Sequence, residues 1–199
     1  MKKIIALALA VICVFSLASC KDKDDGTLDS FKNAISATTL SSATVEVKQT
    51  SDFLPDVPLT ANYDVAFAED GTVTLDFEYT RYMEIGDGAG ATTETLHGFS
   101  TIAPNGTVSG DSVSDDIVAA ATVSFNLDSS KMTYSTSKNA LVADIKAADT
   151  AAVLGVAVDC DVRLTLTVSN GAVVGATISY TKLVGDIEAQ VEIKCTYNK

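Results

Sequence analysis

The side chains able to do chemistry are few and scattered along the chain. There are four cysteines, Cys13, Cys20, Cys160 and Cys195, and a single histidine, His97. A serine hydroxyl is a weak nucleophile until a neighbouring base takes its proton, and His97 is the single histidine available for that role. One histidine without cysteines or carboxylates at ligand spacing does not assemble a zinc site either. In Leu96-His97-Gly98-Phe99 it reads as a strand residue at a sheet margin. Asp22, Asp24 and Asp25 precede Gly26, but counting back from that glycine places lysines at the first and third ligand positions of a calcium loop. Asp115 and Asp116 are adjacent and tend to point apart; they read as the start of a turn or short helix ending near Ala121. No catalytic or metal-binding constellation emerges, no cofactor is implied, and the chain is not expected to be an enzyme.

Two further motifs invite chemistry and lack the context for it. Gly110-Asp111-Ser112-Val113 resembles the Gly-Asp-Ser-Leu block of the SGNH esterases, which need a histidine well downstream, whereas His97 lies upstream and nothing follows. The segment is expected to be a polar loop at a strand end. Gly86-Asp87-Gly88-Ala89-Gly90-Ala91 fits the glycine spacing of dinucleotide sites, which require a helix start to receive the pyrophosphate. The chain continues Thr92-Thr93-Glu94-Thr95, a good strand start, so this stretch reads as a hairpin loop.

The N-terminus carries the strongest signal. Met1-Lys2-Lys3 is a short positive region, and the apolar run over residues 4–15 falls well below the ~20 residues of a membrane span. It ends in Leu17-Ala18-Ser19-Cys20, which resembles the lipobox of bacterial lipoproteins. That resemblance implies removal of residues 1–19 as a signal peptide and acylation of Cys20, anchoring the chain outside the cytoplasm to the cell membrane or outer membrane. Several acyl chains on one residue hold firmly, since each buried methylene contributes about 0.8 kcal/mol. Residues 20–26 then form a lipidated, charged tether with nothing apolar to bury, similar to the surface-export signals of some Bacteroidetes lipoproteins. Residue 21 is lysine rather than aspartate, so the simplest enterobacterial inner-membrane retention signal is absent.

Residues 27–199 are long enough for one domain with a sizeable core. The chain has 14 basic and 26 acidic residues; loss of Lys2 and Lys3 leaves 12 against 26, a net side-chain charge of −14. Such a surface repels phosphates, which argues against nucleic acid as a partner. The absence of tryptophan weakens a carbohydrate-binding role, while abundant Thr, Val and Ala suit sheet surfaces.

Those surfaces dominate the pattern. Leu28, Phe31 and Ile35 share one helical face, with Thr27 available as a cap, so residues 27–38 are predicted to form a short amphipathic helix. From Ala43 the period becomes two. Glu69-Asp70-Gly71, Pro104-Asn105-Gly106 and Ser169-Asn170-Gly171 each read as a three-residue hairpin loop with a left-handed glycine. The first sets Phe67 opposite Val73, Val65 opposite Leu75 and Tyr63 opposite Phe77. The last sets Val168 opposite Ala172, Leu166 opposite Val174 and Val162 opposite Ile178. Other strands are expected at 94–103, 107–112, 122–128, 131–137, 140–145, 156–168, 172–183 and 187–197, with an alanine-rich helix over 146–154 closed by Gly155. A turn at Val184-Gly185 would put Tyr180 opposite Ala189 and Val174 opposite Cys195. Cys160 then lies about 20 Å from Cys195 at ~3.4 Å per residue, too far for a disulfide.

The predicted fold is therefore mainly β: a single antiparallel sheet of about ten strands, curved as a half-barrel or open barrel, with one N-terminal and one late short helix. This order, including Ser41-Ser42-Ala43-Thr44-Val45-Glu46-Val47 after the first helix, resembles the half-barrel of lipoprotein carriers and LppX-type lipoproteins. The resemblance implies an apolar cavity for acyl chains, lined here by Phe31, Ile35, Phe67, Phe77, Leu154, Leu166 and Ile178. The same residues would serve equally as an ordinary core. Two roles stay open: a binding module for a lipid or other apolar ligand, and an envelope or surface protein contacting a protein partner.

Overall fold

The structure, a computed structural model, describes residues 26–52, 54–84 and 91–199. The signal segment, Cys20, most of the tether and the glycine-rich loop before Ala91 lie outside the described residues. Ten strands form one antiparallel sheet: β1 (Ser42–Ser51), β2 (Leu59–Phe67), β3 (Val73–Glu84), β4 (Ala91–Ile102), β5 (Val108–Gly110), β6 (Met132–Thr136), β7 (Ala140–Ile145), β8 (Val162–Ser169), β9 (Ala172–Val184) and β10 (Ile187–Asn198). Their spatial order is β5-β4-β3-β2-β1-β10-β9-β8-β7-β6, so the sheet does not close and its edges are β5 and β6. Two meanders meet where β1 pairs with β10, from Ser42 opposite Asn198 to Ser51 opposite Ala189. This is the open, curved antiparallel architecture that the alternation predicts.

Three helices cover one face: α1 (Leu28–Ala37), α2 (Asp115–Ala121) and α3 (Thr150–Leu154). Thr27 caps α1 by accepting the Ser30 N–H, and Phe31 and Ala34 form its buried face. Thr38 ties the helix end to the sheet: its hydroxyl donates to the Ala34 carbonyl at 2.6 Å and accepts the Val173 N–H at 3.0 Å. α2 packs on β1, β9 and β10; it is the short helix expected to start at Asp115-Asp116 and end near Ala121, and it makes three helices where the expected fold has two. The segment expected as one late helix splits into a 3₁₀ turn (Ala147–Asp149) and α3, ended by Gly155 at φ +76°. Thr150, fully buried, is satisfied by the Ala147 carbonyl and by both backbone groups of Val158.

Turn chemistry sets the register in the first half of the sheet as predicted. Gly71 and Gly106 sit at φ +85° and +81°, each closing a three-residue loop. In each, the preceding side chain, Asp70 or Asn105, accepts the N–H two residues on. Phe67, Val65 and Tyr63 accordingly face Val73, Leu75 and Phe77. The third turn differs. Asn170 also adopts left-handed backbone, at φ +52°, so Asn170-Gly171 makes a two-residue turn with Ser169 opposite Ala172. Asparagine tolerates that conformation because its side chain can bond locally. A bulge between Thr167 and Val168 then restores even parity, leaving Leu166 opposite Ala176, Leu164 opposite Ile178 and Val162 opposite Tyr180. Apolar residues still meet apolar ones, but the pairings with Val174 and Ile178 are displaced. The β9–β10 turn falls one residue later than expected, at Gly185-Asp186. Tyr180 therefore faces Val191 rather than Ala189, and Cys195 faces Ala176 rather than Val174. Cys160 and Cys195, the two cysteines among the described residues, are free thiols.

Residues 122–128 alternate as a strand would, yet they join no ladder. Val123, Phe125 and Leu127 are buried in turn, and the Asn126 N–H bonds to the Val153 carbonyl of α3. The alternation there records side chains buried from an irregular segment, with Val123 in left-handed backbone at φ +54° and the Asp128 N–H bonded back to the Asn126 carbonyl. Likewise β5 is three residues long and residues 156–161 are irregular, so the strands expected at 107–112 and from 156 onward are shorter than their sequence pattern. At Gly110 the chain passes so close to β4 that a Cβ would meet the Phe99 carbonyl oxygen at 2.3 Å. Beyond it the Asp111 carboxylate takes over from the backbone as partner of the Phe99 N–H.

Register also defines two ends. The turns at 69–71, 104–106, 137–139 and 170–171 lie together at one end, and Gly26 enters there, close enough to the Ser137 carbonyl that a Cβ would stand 2.6 Å from it. The connections over 52–58 and 146–161 and the β9–β10 turn lie at the other.

Candidate functional site

The residues that the carrier resemblance assigns to a cavity lie in one hydrophobic cluster. Phe31, Leu154, Leu166 and Ile178 are at most 1% exposed, Phe77 is buried, and Ile35 and Phe67 are half-buried against the same cluster. A void of ligand size, at least ~300 Å³, would leave part of each lining side chain open to a water-sized sphere. Leu154, Leu166 and Ile178, at 0%, have no such surface.

Two concave features among the described residues lie elsewhere, toward the end remote from Gly26. One is an open trough of about 970 Å³ on the polar face of the sheet, crossing β1, β10, β9, β8 and β7. Lys48, Thr50, Glu192 and Thr181 line it beside two ion pairs. Arg163 holds Asp144 in a fork, with Nε and Nη2 at 2.8 and 3.2 Å, and Lys146 meets Asp161 at 2.6 Å. The Lys146 bond, with the Ala147 N–H, holds the Asp161 carboxyl below the usual carboxylate range, and the Asp144 bond pushes the Arg163 guanidinium up. These pairs are exposed, and such pairs contribute little to stability.

The other is a groove of about 740 Å³ between the first turn of α2, residues 156–160 and the end of β9. Val156, Val158 and Leu183 give it apolar surface; Asp115, Asp116 and Asp159 give it carboxylates, against one ammonium from Lys182. Tyr180 crosses it to donate its hydroxyl proton to Asp116 Oδ2 at 2.7 Å, while Asp116 Oδ1 accepts the Ile117 N–H of its own helix. Burial, then that bond to Asp116, pushes the Tyr180 hydroxyl far above its ordinary value. Cys160 lines the same groove. Burial raises its thiol, and Asp159 and Asp161 raise it further, so it is protonated at neutral pH and a poor nucleophile. Cys195 is buried and pushed up to about 12. Next to the groove, the β9–β10 hairpin exposes Leu183 (69%), Val184 (53%) and Ile187 (37%).

The other candidates of the sequence stay apart. His97 sits on an exposed face 3.4 Å from Glu78, and Asp111 bonds to the backbone of β4 rather than serving Ser112. Among the described residues no group of three His, Cys, Asp or Glu could hold a metal ion, and no helix is long and apolar enough to cross a membrane. The groove is absent from the sequence reading because three distant segments build it. Its linear traces are the Asp115-Asp116 pair and an apolar Leu183-Val184 at the exposed end of β9.

No protein-family model matches the chain, and no curated protein matches it. Among solved structures, a crystal structure described as a porin-like protein from Bacteroides uniformis ATCC 8492 aligns over 81% of this chain and 98% of its own, at 11% identity and a TM-score of 0.27. A likeness of that size carries no inference about this chain.

Proposed function

We propose that this is a lipid-anchored extracytoplasmic protein, tethered through Cys20 after removal of residues 1–19, that meets a protein partner with the end of its sheet remote from the tether. One arrangement supports the reading. Gly26, where the tether joins the domain, lies against the β6–β7 turn, while the groove and the exposed Leu183, Val184 and Ile187 lie at the opposite end. β9 alone runs 13 residues between the two ends, about 40 Å at ~3.4 Å per residue. An anchored molecule would thus hold these features away from its own membrane. The other role, an acyl ligand between helices and sheet, finds less support, because Leu154, Leu166 and Ile178 offer no surface inside that layer.

The anchor is tested by Cys20→Ser. The variant should lose labelling by a lipid precursor and leave the membrane fraction; unchanged labelling would remove the basis for the proposal.

A further inference from the structure

We infer that the groove between α2, residues 156–160 and the end of β9 is a docking site for a basic polypeptide segment, one that places a lysine or arginine beside an apolar side chain. This deepens the proposed function and rests on its choice of the remote end. Three carboxylates, Asp115, Asp116 and Asp159, face the groove against the single ammonium of Lys182, so its rim is acidic on a chain that is itself strongly acidic. A cationic partner is drawn to such a surface and an anionic one repelled. Asp116 is held in place by Tyr180 and by the Ile117 N–H, which leaves Asp115 and Asp159, both exposed, to receive the charge.

The apolar half of the site explains why the occupant is a polypeptide rather than a small cation. Val156 and Val158 are half-buried in the groove, Leu183 lines its edge, and Val184 and Ile187, paired across the hairpin, expose further apolar surface beside it. A lone cation would leave that surface wet; a chain segment with alternating side chains covers it while its basic group reaches the rim. The chain's own tether, with Lys21 and Lys23, joins the domain at the opposite end and is not the occupant.

Cys160 supplies a reporter inside the groove, since Cys195 is buried. The full chain, purified from membranes in detergent, is treated with iodoacetamide at alkaline pH, and alkylation at Cys160 is followed by peptide mapping. The probes are an acetylated hexapeptide of alternating lysine and leucine and its glutamate–leucine counterpart. The lysine peptide should slow alkylation at Cys160 at least fivefold and saturably, and the glutamate peptide should not. The protection should fall to near zero in Asp115→Asn/Asp159→Asn and in Leu183→Ser, all exposed positions whose folding is checked by unchanged thermal melts. No slowing by the lysine peptide, or equal slowing by both, overturns the inference. Anchoring is read independently by fractionation of Cys20→Ser, so either result can fail alone.

Discussion

Tyr180, on β9, donates its hydroxyl proton to Asp116, in the first turn of α2, at 2.7 Å and across 64 residues of chain. The bond joins the end of the sheet to the helix that crosses its face and braces one wall of the groove. Removing the hydroxyl leaves a part-buried carboxylate oxygen without its partner, a loss of about 1–3 kcal/mol for a bond to a charged group. Tyr180→Phe should lower stability by that amount in urea titration, with the slope of the transition unchanged. An unaltered midpoint would mean that the bond contributes nothing to holding α2.

Left-handed glycines give a second, graded prediction. Gly171 is at φ +75° with nothing within 4 Å of the place a Cβ would occupy, so Gly171→Ala should cost about 1 kcal/mol from backbone conformation alone. Gly110 is at φ +94° and would also drive its Cβ into the Phe99 carbonyl. Gly110→Ala should therefore be the more damaging of the two by denaturant midpoint. The reverse order would contradict the account of how β5 ends.

How much of this could be read in the sequence depends on the range of the interactions. Period-two alternation and the Asp70-Gly71 and Asn105-Gly106 turns are local, and they specify strands, faces and register in the first half of the sheet. At Asn170 local chemistry allows two turns, and the bulge that compensates is selected by packing of Leu164 and Leu166 against β9, which no short window contains. Residues 122–128 mislead for a related reason: alternation reports which side chains are buried, not what they are buried against. The groove is least legible, because Asp116, Val158 and Leu183 come from three separated segments and meet only in the folded chain.

Alkaline pH should destabilise the fold. Tyr63, Tyr180, Tyr197 and Cys195 all titrate above their ordinary values, with burial as the first cause in each. A raised folded value means that the stabilisation is complete below the unfolded value and is lost as pH rises through the folded one. For Cys195 the interval runs from 9.0 to about 12, within which the thiol alone removes about 1.4 kcal/mol of stability per pH unit. Urea midpoints followed upward from neutral pH should fall more steeply for the native chain than for Cys195→Ala, whatever the variant's offset at neutral pH. Parallel curves would show that the thiol titrates normally in the fold.

The proposed function holds the protein at one end and has it make its contacts at the other. Site-specific photocrosslinking in living cells tests it most directly, with the photoreactive residue placed either at Val184, beside the groove, or at Asn105, in a turn at the tether end. Both sites are exposed and turn-proximal, and unchanged thermal melts of the two substituted chains make the comparison one of position. A photoreactive residue at Val184 should give a discrete protein adduct that Leu183→Ser weakens, and one at Asn105 should give none. Adducts from Asn105 with none from Val184 would contradict the proposed function.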